Sequence, residues 1–175
     1  MREDLLKEIG IEEPESELTT KAWLYLSGRK KLSEEFIREF KEEVDWVKIS
    51  EYQKLSQNFI REFQNKVDWE WVSENQTLNE EFIREFRDKV HWGYISIVYH
   101  LTDEFLLEFK NDIWWNLYLS HQEASFSIMK KFMLKTKIKD ISNIKTNHLN
   151  QVQKTEIKKL LSFKSLFVNT EKEKI

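Results

Sequence analysis

The sequence predicts an all-α protein, a short helical-hairpin repeat solenoid with capping helices at both ends. Three observations predict this class. A 23-residue period runs through most of the 175-residue chain, only 3 residues are glycine and 1 is proline, and the apolar residues of each period have helical spacing. Strand-rich folds need many turns, and turns favour glycine and proline. The composition therefore argues against a β-sandwich or a β-barrel.

The period is most visible in a five-residue motif. Phe-Ile-Arg-Glu-Phe begins at Phe36, Phe59 and Phe82, and a looser form begins at Phe105. The same step of 23 separates a row of tryptophans: Trp23, Trp46, Trp69, Trp92 and Trp115. A fixed period of this length indicates stacked structural repeats that share a continuous core. We expect the tryptophans to lie in that core.

Each repeat predicts two short helices. In the first complete repeat Ser33 and Asp45 are good N-caps, and the helices that follow them place Phe36 and Ile49 on their apolar sides. The predicted caps of the later helices are Ser56, Asp68, Asn79, His91 and Thr102, of which histidine is the poorest. Helices this short are not stable alone in water. Stacking in a solenoid would stabilise them, and a closed compact bundle is the alternative.

The two ends of the chain differ from its middle. We expect residues 1–32 to form an N-terminal cap and a half-repeat, with a helix around Leu5 and a break from Gly10 to Pro14. Residues 33–125 form four 23-residue helical repeats. Residues 126–175 lose the motif and form a basic helical C-terminal cap, with one helix near 126–134 and another near 151–167.

The repeated motif also carries a family resemblance. Phe-Ile-Arg-Glu-Phe, followed by Val-Asp-Trp, Ile-Ser and Gln-x-Leu-Ser, resembles short helical-repeat proteins of phages, giant viruses and low-GC bacteria. The match covers roughly residues 32–112, and the fourth repeat departs from it at Leu107, Trp114 and Leu119. The resemblance implies helical repeats and no enzymatic activity, and it supplies no site residues.

Charge is distributed unevenly along the chain. The formal net charge is -3, but residues 1–125 hold 16 basic and 27 acidic residues, whereas residues 126–175 hold 12 lysines and 4 acids. One interpretation is solvated helix faces with pairs of the Glu34–Arg38 type, four residues apart. Another is that the acidic face meets a basic protein. A third is that the basic segment contacts phosphates, through Lys130, Lys131, Lys135, Lys137 and Lys139, in weak and salt-sensitive binding.

The arginine of the motif recurs at Arg38, Arg61 and Arg84. This recurrence predicts a structural ladder in which each arginine pairs with a carboxylate of the same or the next repeat. A shared ligand site is the alternative.

Positions that differ between repeats are free to serve function. In the second helices, positions that are polar in the early repeats become aromatic or aliphatic in the late ones. Exposed aromatic residues are typical anchors of protein interfaces. The predicted partner-binding residues are therefore Trp71, Tyr94, Ile97, Tyr99, Trp114 and Leu117. The alternative is that residues 126–175 cover the late repeats, so that these side chains are internal.

The sequence indicates no catalytic or metal chemistry. There is no cysteine, the four histidines (His91, His100, His121 and His148) lack ligand spacing, and three glycines cannot build a phosphate-binding loop. We therefore expect no enzyme activity, no cofactor and no metal.

Localisation is predicted from two further absences in the sequence. The first residues do not form a signal peptide, and no apolar run approaches the roughly 18 residues of a membrane helix. We expect a soluble, cytoplasmic protein, in the cytoplasm of the host cell if the chain is viral.

These features predict a protein-binding helical-repeat module whose partner is basic. The viral resemblance favours one form of it, a phage or viral inhibitor that sterically blocks a host defence protein such as a CRISPR effector nuclease. The alternatives are nucleic-acid binding through the basic C-terminal segment and a generic adaptor or self-assembling scaffold. The partner and the oligomeric state stay open at this point.

Overall fold

A computed structural model describes residues 2–12, 14–29, 31–136 and 141–172, with side chains up to residue 162 except that of Lys135. Over these ranges the chain forms twelve α-helices, three short 3-10 helices and no strand, which confirms the all-α helical-repeat class. The α-helices are α1 Arg2–Glu8, α2 Thr20–Arg29, α3 Glu34–Glu39, α4 Trp46–Tyr52, α5 Gln57–Glu62, α6 Trp69–Asn75, α7 Glu80–Glu85, α8 Trp92–Val98, α9 Asp103–Glu108, α10 Trp115–His121, α11 Phe126–Phe132 and α12 Gln151–Lys172. The 3-10 helices are Glu15–Glu17, Met133–Lys135 and Ile141–Asn143. In the described part of the chain no helix is both long enough and apolar enough to cross a bilayer.

The chain divides into two compact units, one ending at Val90 and one beginning at His91. We call them the N-terminal and the C-terminal unit. The boundary falls inside the third repeat, between its first helix α7 and its second helix α8. Each unit is built of the same alternation, a six-residue first helix followed by a seven-residue second helix.

The predicted caps explain where these short helices begin. The side chains of Ser33, Asp45, Ser56, Asp68, Asn79 and Thr102 all accept hydrogen bonds from backbone N–H groups in the first turn of their helices. His91 does the same with Tyr94 at a longer 3.4 Å, as expected of a poorer cap. Four second helices, α4, α6, α8 and α10, have seven residues each. The first three begin with a side-chain cap, whereas α10, which follows Trp114, begins without one.

The core of the N-terminal unit is a repeated aromatic cluster. The Trp46 ring lies 4.9 Å from the ring of Phe63 in the next repeat, between ring centroids, and Phe63 lies 4.6 Å from Phe59. Trp23 and Trp69 make the same contact with the following repeat. The indole N–H of Trp46 donates to the carbonyl of Lys41 at 2.9 Å, so its polar edge is satisfied at the rim of the core. The prediction that the tryptophans lie in the core is confirmed in part: Trp23 and Trp115 are buried, whereas Trp46, Trp69 and Trp92 are half-buried at its rim.

The C-terminal unit contains the same cluster and an added cap. Trp92 packs on Phe109 within the repeat pattern, with 5.2 Å between ring centroids. Trp115 instead stacks on Phe132 of α11, with ring centroids 4.0 Å apart and planes 5° from parallel. The backbone N–H of Lys145 donates to the carbonyl of Leu119 at 2.8 Å. The segment after residue 125 therefore closes the inner side of the fourth repeat.

Candidate functional site

A row of buried serines joins one repeat to the next. The Ser50 hydroxyl donates to the carbonyl of Trp46 at 2.8 Å and accepts from the backbone N–H of Asp68 at 2.9 Å. Ser27 and Ser96 repeat the arrangement with Asp45 and Trp114. Sequence reasoning did not assign these serines a role, although their 23-residue step was a signal. They are structural, because both hydrogen bonds stay inside the chain.

Buried glutamines form a second internal connection. The Gln76 side chain accepts from the backbone N–H of Leu55 at 2.9 Å and donates to the carbonyls of Ser50 and Gln53 at 3.1 and 2.8 Å. One repeat earlier, Gln53 accepts from the backbone N–H of Leu32 at 3.0 Å and donates to the carbonyl of Ser27 at 2.8 Å. Because a buried amide is stable only when its polar atoms are paired, this position belongs to the scaffold. Tyr99 occupies it in the third repeat, 23 residues after Gln76.

The predicted pairing of the arginines with carboxylates of the same or the next repeat is confirmed. Arg38 Nη2 lies 2.9 Å from Glu62 Oε2, and Arg61 Nε lies 2.8 Å from Glu85 Oε2. The hydrogen bond from Arg38 lowers the pKa of the Glu62 carboxyl. Arg84 lies 3.7 Å from Glu80 of its own repeat. The three arginines of the ladder are thus paired with glutamates of the same chain.

The expected Glu34–Arg38 pair is not the one that forms. The Glu34 carboxylate accepts a hydrogen bond from the backbone N–H of Ser56, the cap of the next first helix. Arg38 instead pairs with Glu62 on the neighbouring first helix α5. Both its Nε and its Nη2 donate hydrogen bonds to that carboxylate.

The predicted partner-binding residues lie on or beside the second helices. Trp71 is half-buried on α6 of the N-terminal unit. In the C-terminal unit four of them are half-buried, namely Tyr94, Ile97, Tyr99 and Leu117, and Trp114 is 52 % exposed. The structure brings both Tyr94 and Trp114 next to one imidazole, since the His91 ring centroid lies 4.9 Å from that of Tyr94 and 5.6 Å from that of Trp114. The alternative of complete coverage is wrong for Trp114.

The early second helices expose more apolar surface than the sequence suggested. Nine large apolar side chains are exposed in the described part of the chain, and six of them lie on second helices or their caps: Leu24, Tyr25, Val47, Tyr52, Val98 and Trp114. Four of the six precede residue 53, where sequence reasoning emphasised polar positions. A signal existed, because Tyr25 has the same repeat position as Trp71, Tyr94 and Leu117. We call the exposed sides of the second helices the second-helix faces, one on each unit.

The second-helix face of the N-terminal unit contains a groove between α2 and α4, which pack against each other. Its volume is about 610 Å³, and its lining residues are Lys21, Leu24, Tyr25, Gly28, Arg29, Lys48 and Tyr52. Tyr25 is 59 % and Tyr52 55 % exposed. Gly28 forms part of the floor, because a Cβ built there would lie 3.5 Å from both Lys48 and Tyr52.

On the α4 side of this groove, Lys48 forms an ion pair with Glu51. Lys48 Nζ lies 2.8 Å from Glu51 Oε2 and 5.1 Å from the centroid of the Tyr52 ring. The hydrogen bond with Glu51 raises the pKa of the Lys48 ammonium, and a hydrogen bond to the same carboxylate raises the pKa of the Tyr52 phenol. Lys48, Glu51 and Tyr52 therefore form one set of contacts along α4.

The predicted phosphate-contacting lysines are only partly described. Lys130 and Lys131 are exposed on α11, and Lys130 Nζ lies 2.6 Å from Glu156 Oε1 of α12. The side chain of Lys135 and the whole of Lys137 and Lys139 lie outside the described residues. At Lys130 the charge is already compensated by a carboxylate of the same unit.

The histidines make contacts inside the chain. His148 Nε2 lies 2.8 Å from the carbonyl oxygen of Ala124, and His121 Nδ1 lies 2.9 Å from that of Leu117. Within the described ranges no cluster of three or more histidine, aspartate or glutamate side chains is placed to hold a metal ion.

Comparisons with protein-family models, with curated proteins and with solved structures find no match to this chain.

Proposed function

We propose that this chain is a protein-binding helical-repeat module that docks its partner on the second-helix faces. One observation carries the proposal. Leu24, Tyr25, Val47 and Tyr52 expose between 45 % and 59 % of their area on adjacent helices of one unit. Large apolar side chains clustered at a folded surface are typical of protein interaction sites.

The rest of each repeat supports this assignment by elimination. The aromatic clusters, the serine and glutamine connections and the arginine ladder all have partners inside the chain. The exposed side chains of the second helices are not needed for that scaffold. A surface that contributes little to the fold is free to vary for recognition.

The finer predictions remain proposals with separate support. A basic partner is supported by the acidic balance of residues 1–125, part of which the ladder already neutralises. An inhibitor that sterically blocks a host defence protein is supported by the motif resemblance. For nucleic-acid binding, the described part of the basic segment adds no support at Lys130, which is paired with Glu156.

The test is affinity capture from an extract of the source host, followed by binding measurements with the captured protein in purified form. The wild-type chain is compared with a Tyr25→Ser, Tyr52→Ser variant and with Trp114→Ser, all checked for unchanged helical circular dichroism. We expect the partner to bind the wild type and to lose affinity for at least one variant. Unchanged affinity in both variants would remove the second-helix faces from the proposal. Binding of short RNA or DNA without any protein partner would replace it with the nucleic-acid alternative.

A further inference from the structure

The groove between α2 and α4 has an ordered arrangement of charges and rings. Lys21, Tyr25 and Arg29 follow one another at four-residue spacing, so they lie along one side of α2. At a rise of 1.5 Å per residue, the Cα atoms of Lys21 and Arg29 are separated by about 12 Å along the helix axis, with Tyr25 midway between them. Lys48 and Tyr52 have the same four-residue relation on α4. The groove thus contains Tyr25 between Lys21 and Arg29 on α2, and Tyr52 next to Lys48 on α4.

The charge of the groove is opposite to that of its surroundings. Residues 1–90 contain 15 basic and 22 acidic residues. Among the described residues that line the groove there are three cations and no carboxylate. Lys48 is paired with Glu51, whereas in the described part of the chain neither Lys21 nor Arg29 belongs to an ion pair. Two cations that form no ion pair with a described residue therefore flank exposed apolar surface.

We propose that this groove binds an acidic segment of a partner protein, in which a large apolar side chain stands between two carboxylates. The apolar side chain would pack against Tyr25 and Tyr52, and the carboxylates would pair with Lys21 and Arg29. Arginine and lysine form charge-assisted hydrogen bonds with carboxylates, and the field of the cations would orient the segment as it approaches. This inference rests on the proposed protein-binding function and concerns one site only: a partner that is basic overall would present a local acidic segment to this groove.

The lining favours a peptide over a single nucleic-acid strand. Strand binding without sequence preference combines a continuous cationic track with a series of stacking rings. Here one of the three cations is neutralised by Glu51, and the exposed aliphatic side chain of Leu24 lines the groove together with the two tyrosines. Aliphatic surface of this kind suits an apolar side chain better than a phosphate.

The probe is a synthetic helical peptide with capped ends that carries glutamate, phenylalanine and glutamate at successive four-residue intervals among alanines. A matched peptide has lysine in place of both glutamates. Each is titrated into the full-length, nitrogen-15-labelled chain, and amide shifts are followed by NMR. We expect the glutamate peptide to shift the resonances of residues 21–29 and 48–52, with an affinity at least about tenfold higher than that of the lysine peptide.

Two charge variants make the test specific. Arg29→Glu should weaken binding of the glutamate peptide about tenfold, and Lys41→Glu, the same charge change on another exposed residue of this unit, should leave it unchanged. Equal affinity for the two peptides, shifts outside the groove, or equal loss in both variants would overturn the inference. Oligothymidylate that displaces the glutamate peptide at a concentration below that of the peptide would also overturn the inference, in favour of a nucleic acid.

The captured partner separates failure of this inference from failure of the proposed function. If Tyr25→Ser with Tyr52→Ser abolishes partner binding while Arg29→Glu does not, the docking face stands and the acidic segment is wrong. If Arg29→Glu and the tyrosine variant both reduce partner binding and Lys41→Glu does not, both the docking face and the acidic segment are supported.

Discussion

The hydroxyl of Ser50 accepts a hydrogen bond from the backbone N–H of Asp68 at 2.9 Å. Ser50 lies on the second helix of one repeat, and Asp68 caps the second helix of the next. The bond therefore fixes the position at which each new second helix begins, relative to the previous one. It satisfies a donor that the helix itself leaves unpaired.

Loss of this hydroxyl should destabilise the fold. We expect Ser50→Ala to lower the free energy of unfolding by about 1–3 kcal/mol, because the N–H of Asp68 would lose its partner in a partly buried place. Urea denaturation followed by circular dichroism measures the change. Ser127→Ala, at an exposed serine of α11, is the control and should stay within about 0.5 kcal/mol of the wild type. Equal effects of the two substitutions would contradict the structural role of the buried serine.

The buried amide of Gln76 connects three backbone groups, so its removal should cost more. We expect Gln76→Met to lower the free energy of unfolding by about 2 kcal/mol or more, since methionine fills the space but pairs with none of the three groups. Gln57→Met is the matched control, because Gln57 makes a single long hydrogen bond of 3.3 Å at the surface. Denaturation curves that coincide for the two variants would show that the amide contacts are not needed.

Two adjacent tryptophans should behave in opposite ways. Trp115 is 8 % exposed and stacks on Phe132, whereas Trp114 is 52 % exposed. We expect Trp115→Ala to cost about 3–5 kcal/mol through the cavity it leaves, and Trp114→Ala to cost less than about 1 kcal/mol. Thermal and urea unfolding measure both. A large loss of stability in Trp114→Ala would mean that this ring serves the core and not a partner.

The Arg38–Glu62 contact should be visible in the acid titration of the protein. The hydrogen bond from Arg38 holds the pKa of the Glu62 carboxyl below its ordinary value of 4.5. A carboxylate with a lowered pKa in the folded state stabilises the fold above its unfolded pKa, and this contribution is lost as the pH falls through the folded value. NMR titration of the Glu62 side chain should show a midpoint below 4.5 in the wild type.

The paired variant tests the cause of that shift. Arg38→Gln should raise the pKa of Glu62 towards 4.5, because glutamine carries no charge. Lys54→Gln, which removes a charge from an exposed residue outside this contact, should leave the midpoint where it is. An unchanged midpoint in Arg38→Gln would show that the ion pair does not persist in solution.

The arginines illustrate how far periodicity predicts contacts. The 23-residue step predicted that Arg38 pairs within its own or the next repeat, and it pairs with Glu62. The sequence could not choose between Glu34 and Glu62. Both carboxylates are within reach of a long side chain, and the choice depends on how closely neighbouring first helices pack.

The aromatic residues of the second helices show the limit of the same argument. Tyr118 has the repeat position of Val72 and is buried, with its hydroxyl 3.3 Å from the carbonyl oxygen of Leu101. Tyr25 has the repeat position of Trp71 and is 59 % exposed. The repeat comparison predicted contacts at the late aromatic residues and none at Tyr25 or Tyr52. The type of a residue does not by itself predict whether its side chain is exposed.

By itself the sequence determined the class of fold, the starts of the helices and the members of the core. These features depend on short-range physics: a Ser or Asp side chain caps the turn that follows it, and apolar residues at helical spacing define one face. Only the tertiary structure decided which carboxylate each arginine meets, which backbone groups the buried serines and glutamines satisfy, and where the cations and rings of α2 and α4 form a groove. Those outcomes require residues from different helices to meet, and their distances depend on packing that no single repeat contains.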